Sequence, residues 1–133
     1  MKKISRLMLG MTGALMLATS VASADSAGIT LSEGRQFGAA TGEQLYASVC
    51  AACHMPSGEG ATGAGVYPSL ANNENLEEAS YPVFVLINGL KGMPPVGRMM
   101  SDEQVAAVVN YIRTNFGNVY TTEVTAEEVA AHR

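Results

Sequence analysis

Cys50-Ala51-Ala52-Cys53-His54 is the stretch that decides how the rest of the chain is read. Two thiols three residues apart lie on one side of a helical turn, and the histidine after the second aims its imidazole up beside them. That spacing predicts one covalently held iron porphyrin, haem c. Cys50 and Cys53 add across its two vinyl groups, and His54 Nε2 is the proximal iron ligand. Two other readings of the pair are weaker. A thioredoxin-like redox pair needs a βαβ pattern, and no strand-rich segment is visible. A disulfide or a two-thiolate metal site lacks partners: beyond the cysteines only His54 and His132 remain, and structural zinc takes four ligands.

Downstream, Pro56 and Gly58, Gly60, Gly63 and Gly65 make residues 55–67 a loop. Tyr67-Pro68-Ser69-Leu70 ends it with a stiff, apolar segment, so the loop should wrap against something. A ligating histidine normally donates its other N–H to a carbonyl, and the Pro68 carbonyl is the candidate acceptor. Leu70, with Val83, Leu86, Ile87 and Ile112, reads as haem-facing aliphatic surface; Tyr67 and Arg98 are candidate propionate partners. The sixth iron position suits a soft thioether. Met55 follows His54 directly and starts on the wrong side of the ring. Met93 sits in a rigid Gly92-Met93-Pro94-Pro95 turn and is the expected ligand, ahead of Met99 or Met100. Met100 instead looks like a hydrophobic staple against Val105. His132 reads as a solvated tail.

Helices are expected around these residues. Thr41-Gly42-Glu43-Gln44 fits a capping box and opens a helix with Leu45, Tyr46 and Val49 on one side, running into Cys50. Ser80 is placed as the cap of a helix over 81–88, stopped by Gly89. Ser101-Asp102-Glu103-Gln104 is a second capping box, and Val105, Val108, Val109, Ile112 and Phe116 recur with helical period over 102–116. Thr125-Ala126-Glu127-Glu128 caps a short last helix. No convincing strand is visible.

Upstream, residues 1–24 have the three parts of a secretory signal peptide: Lys2, Lys3 and Arg6, an apolar run from Leu7 to Val21, and Ala22-Ser23-Ala24 as the cleavage site. Cleavage after Ala24 leaves residues 25–40 as an extended arm and 41–133 as one domain. The mature chain then has five cations against twelve acids, a net charge of −7. That balance excludes phosphate-tracking nucleic-acid binding. No other segment is long and apolar enough to stay in a bilayer after cleavage. With aromatics at only 6%, a large apolar surface must come from aliphatic side chains or from a cofactor. A small domain closed around a covalent haem should be poorly folded without it.

These residues resemble the small class I c-type cytochromes of bacterial periplasms. The likeness covers residues 41–118 and is carried by Cys50-Ala51-Ala52-Cys53-His54, Tyr67-Pro68-Ser69-Leu70, Asn88-Gly89, Gly92-Met93-Pro94-Pro95, Ser101 to Val105 and Val109 to Arg113. The run through Asn115-Phe116-Gly117-Asn118 is similar to cytochromes that accompany periplasmic dehydrogenases. The resemblance implies an all-α fold of four to five short helices around one haem. It implies terminal helices crossing at Gly42 and Tyr46 against Val109 and Tyr111, His54 and Met93 as axial ligands, and Pro68 as the histidine's acceptor. It also implies a periplasmic electron carrier rather than an enzyme, taking electrons from a dehydrogenase and passing them to an oxidase or another cytochrome. Two alternatives are a five-coordinate haem protein that binds a small ligand or peroxide, and a fixed cytochrome subunit of a dehydrogenase complex. Met55 departs from the family, which more often has glycine or a polar residue there, and the near absence of lysine rules out a lysine docking ring.

Overall fold

The structure, a computed structural model, describes residues 31–32, 36–38 and 41–133; the expected signal peptide lies outside them, as does most of the arm. The fold is built from short helices, with two minimal hairpins added. Helix α1 (Gly42–Leu45) starts at Thr41, whose hydroxyl accepts the Gln44 N–H while the Gln44 side chain accepts the Thr41 N–H, the expected capping box. It passes without a break into a π turn (Tyr46–Cys50), closed by Ala51 N–H donating to the Tyr46 carbonyl, and then into α2 (Ala51–His54). A π turn inserts one extra residue into a helix. It therefore changes the direction in which the cysteines face relative to Leu45.

Helix α3 (Ser80–Asn88) follows a 3-10 turn at Glu74–Leu76. Its cap is Ala79, which contributes no side-chain bond; the Ser80 hydroxyl instead donates to Glu78 at 3.3 Å. The expected Ser80 cap is thus displaced by one residue: Pro82 has no N–H for a Ser80 hydroxyl to accept, and the Val83 N–H donates to the Ala79 carbonyl. Gly89, at φ 73°, ends α3 as expected. A second 3-10 turn (Val96–Met99) leads to α4 (Asp102–Thr114), opened by the Ser101–Gln104 capping box. The last helix, α5 (Ala126–Ala130), starts from the Thr125–Glu128 box.

Strands appear where none was expected. β1 (Leu31–Ser32) pairs antiparallel with β2 (Gln36–Phe37), and β3 (Ala61–Thr62) with β4 (Val66–Tyr67). Each strand has two residues, too few for an alternating pattern to register. The Gln104 side chain donates to the Phe37 carbonyl and ties the first hairpin to the start of α4.

The core forms between α1, α3, α4 and α5. Leu45, Tyr46, Val83, Leu86, Ile87, Val105, Val108, Val109, Ile112 and Val129 are all buried. Met100 joins them with Val105, as a staple requires. At the crossing of α1 and α4, Gly42 meets Ala107 and Tyr111: a Cβ on Gly42 would lie 2.7 Å from Tyr111 Cβ and closer still to the Ala107 carbonyl oxygen. Tyr46, Tyr111 and Phe116 stack beside it, with centroids 4.7–5.6 Å apart. Phe116 reaches this cluster from beyond the end of α4, at φ 57°, so the expected helix stops two residues early. Arg113, buried at 2% exposure, ties the end of α4 to the segment before α3 through the Leu76 and Glu77 carbonyls, and to the loop after α4 through Thr122.

Candidate functional site

The site grows from the end of α2. His54 is its last residue, and Met55, at φ 65° and ψ 158°, turns the chain sharply away. Three bonds fix that corner. Met55 N–H donates to the Ala51 carbonyl at 3.0 Å, the Tyr46 hydroxyl donates to the Met55 carbonyl at 2.7 Å, and Gly60 N–H donates to the His54 carbonyl at 3.0 Å.

The loop beyond then folds back over the histidine. Gly60, at φ 70°, lets the backbone pass directly against Pro68 and Ser69; a Cβ there would lie 2.8 Å from the Pro68 carbonyl carbon. This approach brings the Pro68 carbonyl oxygen to 2.9 Å from His54 Nδ1. A carbonyl can only accept, so Nδ1–H is the donor, and Nε2 is the ring nitrogen left for a metal. His54 is buried at 7% exposure, with one ring nitrogen committed to a carbonyl, the arrangement that orients a ligating histidine. Leu70 is half-buried against the core, and its N–H donates to Gly58 at 2.7 Å.

Both cysteines are free thiols; Cys50 is partly buried and Cys53 exposed. Burial, reinforced by the nearby Cys53, pushes the Cys50 thiol up to about 11. A thiol-disulfide redox pair needs a lowered value. The upward shift instead describes a protonated, apolar sulfur. Among the described residues, no group of three or more His, Cys, Asp or Glu is arranged to hold a metal ion. Two thiols followed directly by a carbonyl-held imidazole are a donor set that fits a covalent porphyrin with an imidazole ligand.

Met93 lies in a small closed turn. Leu90 and Met93 exchange backbone bonds of 3.1 and 2.9 Å, Lys91 takes φ 52°, and Pro94 and Pro95 follow. Gly89 packs against this turn, where a Cβ would lie 2.7 Å from the Met93 carbonyl oxygen. Met93 itself is half-buried against the core. Met100 is committed to the core at 4% exposure, and Met99 is 43% exposed. Arg98 donates its Nε to the Ile87 carbonyl at 3.1 Å, and Tyr67 stands exposed at the end of β4. His132 is exposed.

A mostly helical architecture, a C-x-x-C-H corner and a carbonyl-held histidine together define a small class I c-type cytochrome. Residues 38–112 match the family described as cytochrome c oxidase, cbb3-type, subunit III, and the chain belongs to that family. It is 36% identical over 110 residues to cytochrome c-552 of Thermus thermophilus, covering 68% of this chain and 82% of that protein. It is 34% identical over 105 residues to the gluconate 2-dehydrogenase cytochrome c subunit of Pantoea cypripedii, covering 70% of this chain and 24% of that subunit. The fructose dehydrogenase cytochrome subunit of Gluconobacter japonicus is 33% identical over 104 residues, covering 66% of this chain and 21% of the subunit. The chain thus spans about a quarter of the length of the dehydrogenase subunits it matches. The family's cofactor is covalently bound haem c, and its members carry electrons rather than transform substrates. No helix among the described residues is long and apolar enough to cross a membrane.

Proposed function

We propose that this is a periplasmic single-electron carrier, exported by residues 1–24 and cut after Ala24, with 25–40 as an arm and 41–133 as the cytochrome domain. Cys50 and Cys53 would hold haem c by thioethers, and His54 and Met93 would fill the two axial positions. Haem iron supplies the Fe(III)/Fe(II) couple, and the chain supplies ligands, burial and access. With His54 and Met93 both holding the iron, no position on it would remain open for a substrate. The Pro68 carbonyl holds the His54 ring in one orientation, and Leu70, two residues on, packs against the core.

The observation that carries this reading is the 2.9 Å bond from His54 Nδ1 to the Pro68 carbonyl at the end of the C-x-x-C-H helix. The donor is proposed to be a dehydrogenase and the acceptor an oxidase or another cytochrome of the respiratory chain. Relatives named as dehydrogenase cytochrome subunits support a second form of the same reading, a fixed subunit rather than a free shuttle. Gel filtration of a native extract separates the two.

The reading is tested by the mass and the ferric spectrum of the exported protein. Loss of 24 residues, gain of one haem, and a weak band near the red edge of the visible range are expected. Colourless material with freely titrating thiols would end it. A coloured protein without that band, and with added ligands binding to the iron, would turn it into a five-coordinate ligand-binding haem protein.

A further inference from the structure

Asn118 is 5% exposed and commits its whole side-chain amide to the backbone of other segments. Its Nδ2 donates to the Leu70 and Ile112 carbonyls, both at 2.8 Å, and its Oδ1 accepts the Asn73 N–H at 2.9 Å. Leu70 and Asn73 lie 48 and 45 residues earlier in the chain. The neighbouring Phe116 carbonyl accepts the Asn72 N–H at 3.1 Å, and Asn73 Nδ2 donates to the Ser69 carbonyl at 2.7 Å. On its other side the same segment is pinned to the Gly58 carbonyl by Leu70 N–H at 2.7 Å and Ala71 N–H at 3.0 Å. Pro68, whose carbonyl meets His54, begins this segment.

We propose that Asn118 is a positioning residue for the iron ligand: by clamping residues 70 and 73 it holds the Pro68 carbonyl on His54 Nδ1. This rests on His54 being the proximal ligand. A hydrogen bond accepted from Nδ1–H makes the ligating imidazole more basic, which favours Fe(III). Loosening the clamp lengthens that bond, frees the ring and raises the reduction potential. The chemistry is that of a second residue 64 positions away in sequence setting the electron density of the first. Buried carbonyls and N–H groups left without partners make such a clamp hard to replace by water.

The comparison pairs Asn118→Ala with Asn110→Ala in the holoprotein. Asn110 is also an asparagine clamp on backbone, bonding the Val124 carbonyl at 2.9 Å and the Val124 N–H at 2.8 Å, away from the Pro68 segment. Asn118→Ala is expected to raise the potential and to speed exchange of the His54 Nδ1 proton, followed by NMR in the reduced state, about tenfold or more. Asn110→Ala should lower stability and leave both readouts in place. Equal behaviour of the two variants in potential and exchange would overturn the proposal. Should Asn118→Ala fail to fold, exchange in the unmutated holoprotein decides. A His54 Nδ1 proton released together with the Leu70 and Asn73 amides supports the clamp, and independent release refutes it. Failure of the underlying reading is separately visible, as an unmutated holoprotein without a histidine-ligated iron.

Discussion

Gly42 of α1 lies directly against the Ala107 backbone of α4, with no room for a side chain between them. The Tyr111 Cβ crowds the same spot, 2.7 Å from where a Gly42 Cβ would stand. Gly42→Ala must push two helices apart through a packed core, at a cost of about 1–3 kcal/mol. For a domain of this size the melting temperature should fall by at least ~4 °C. Thermal denaturation of the holoprotein measures this, and an unchanged Tm would mean that the crossing is looser than described.

Arg113 holds three backbone carbonyls from two loops while buried at 2% exposure. Arg113→Met keeps the packing volume but leaves those carbonyls without donors. Stability should drop by about 2–4 kcal/mol, read as the denaturant midpoint. Arg113→Lys should fall between the two, since an ammonium cannot span the three acceptors as a guanidinium fork does.

Replacement of Met93 by alanine separates ligand from core methionine. Haem should remain attached through Cys50 and Cys53. The potential should fall by on the order of 0.1 V or more, within the ~0.8 V that axial ligands span, and the sixth position should accept added imidazole. Met99→Ala, at an exposed position, should change neither readout. The reverse pattern would move the ligand to residue 99.

Alkali should find the Tyr46 hydroxyl. Burial, helped by the neighbouring Cys50, Glu59 and Tyr111, pushes it from 10.0 up to about 12. The unfolded chain therefore ionises this tyrosine first, and stability that is complete below pH 10 is lost as pH rises toward 12. Denaturant midpoints measured across that window should decline, and Tyr46→Phe should flatten the decline.

Glu74, Glu77, Glu78, Glu103, Glu127 and Glu128 are exposed, and the sequence is acidic overall. A donor or acceptor with a basic patch should associate faster at low ionic strength. Stopped-flow reduction across a salt series tests this, and a flat series would rule out steering by charge.

Much of this was legible because it is local. Thr41–Gln44, Ser101–Gln104 and Thr125–Glu128 are capping boxes whose partners stand three residues apart, and all three form. The valine stripe of α4 is likewise a short-range pattern. What escaped depends on partners far away in sequence. Arg113 looks like any surface cation until the loops at 76 and 122 close on it. Asn118 reads only as part of a C-terminal run, because its bonds reach back to residues 70 and 73. The π turn at Tyr46–Cys50 leaves no mark in composition, and the two hairpins are too short to alternate. Ser80 misled because Pro82, two residues on, has no N–H for its hydroxyl to accept, and the Val83 N–H goes to the Ala79 carbonyl instead.

Met55 takes backbone angles that glycine adopts freely and side chains resist. Relieving such a conformation releases about 1–3 kcal/mol, more than the ~0.5–1 kcal/mol that glycine's extra freedom in the unfolded chain takes back. The methionine thus leaves thermal robustness unclaimed at a position adjacent to, but not part of, the proposed ligand set of the iron. An engineer wanting a hardier electron carrier could begin at that single codon.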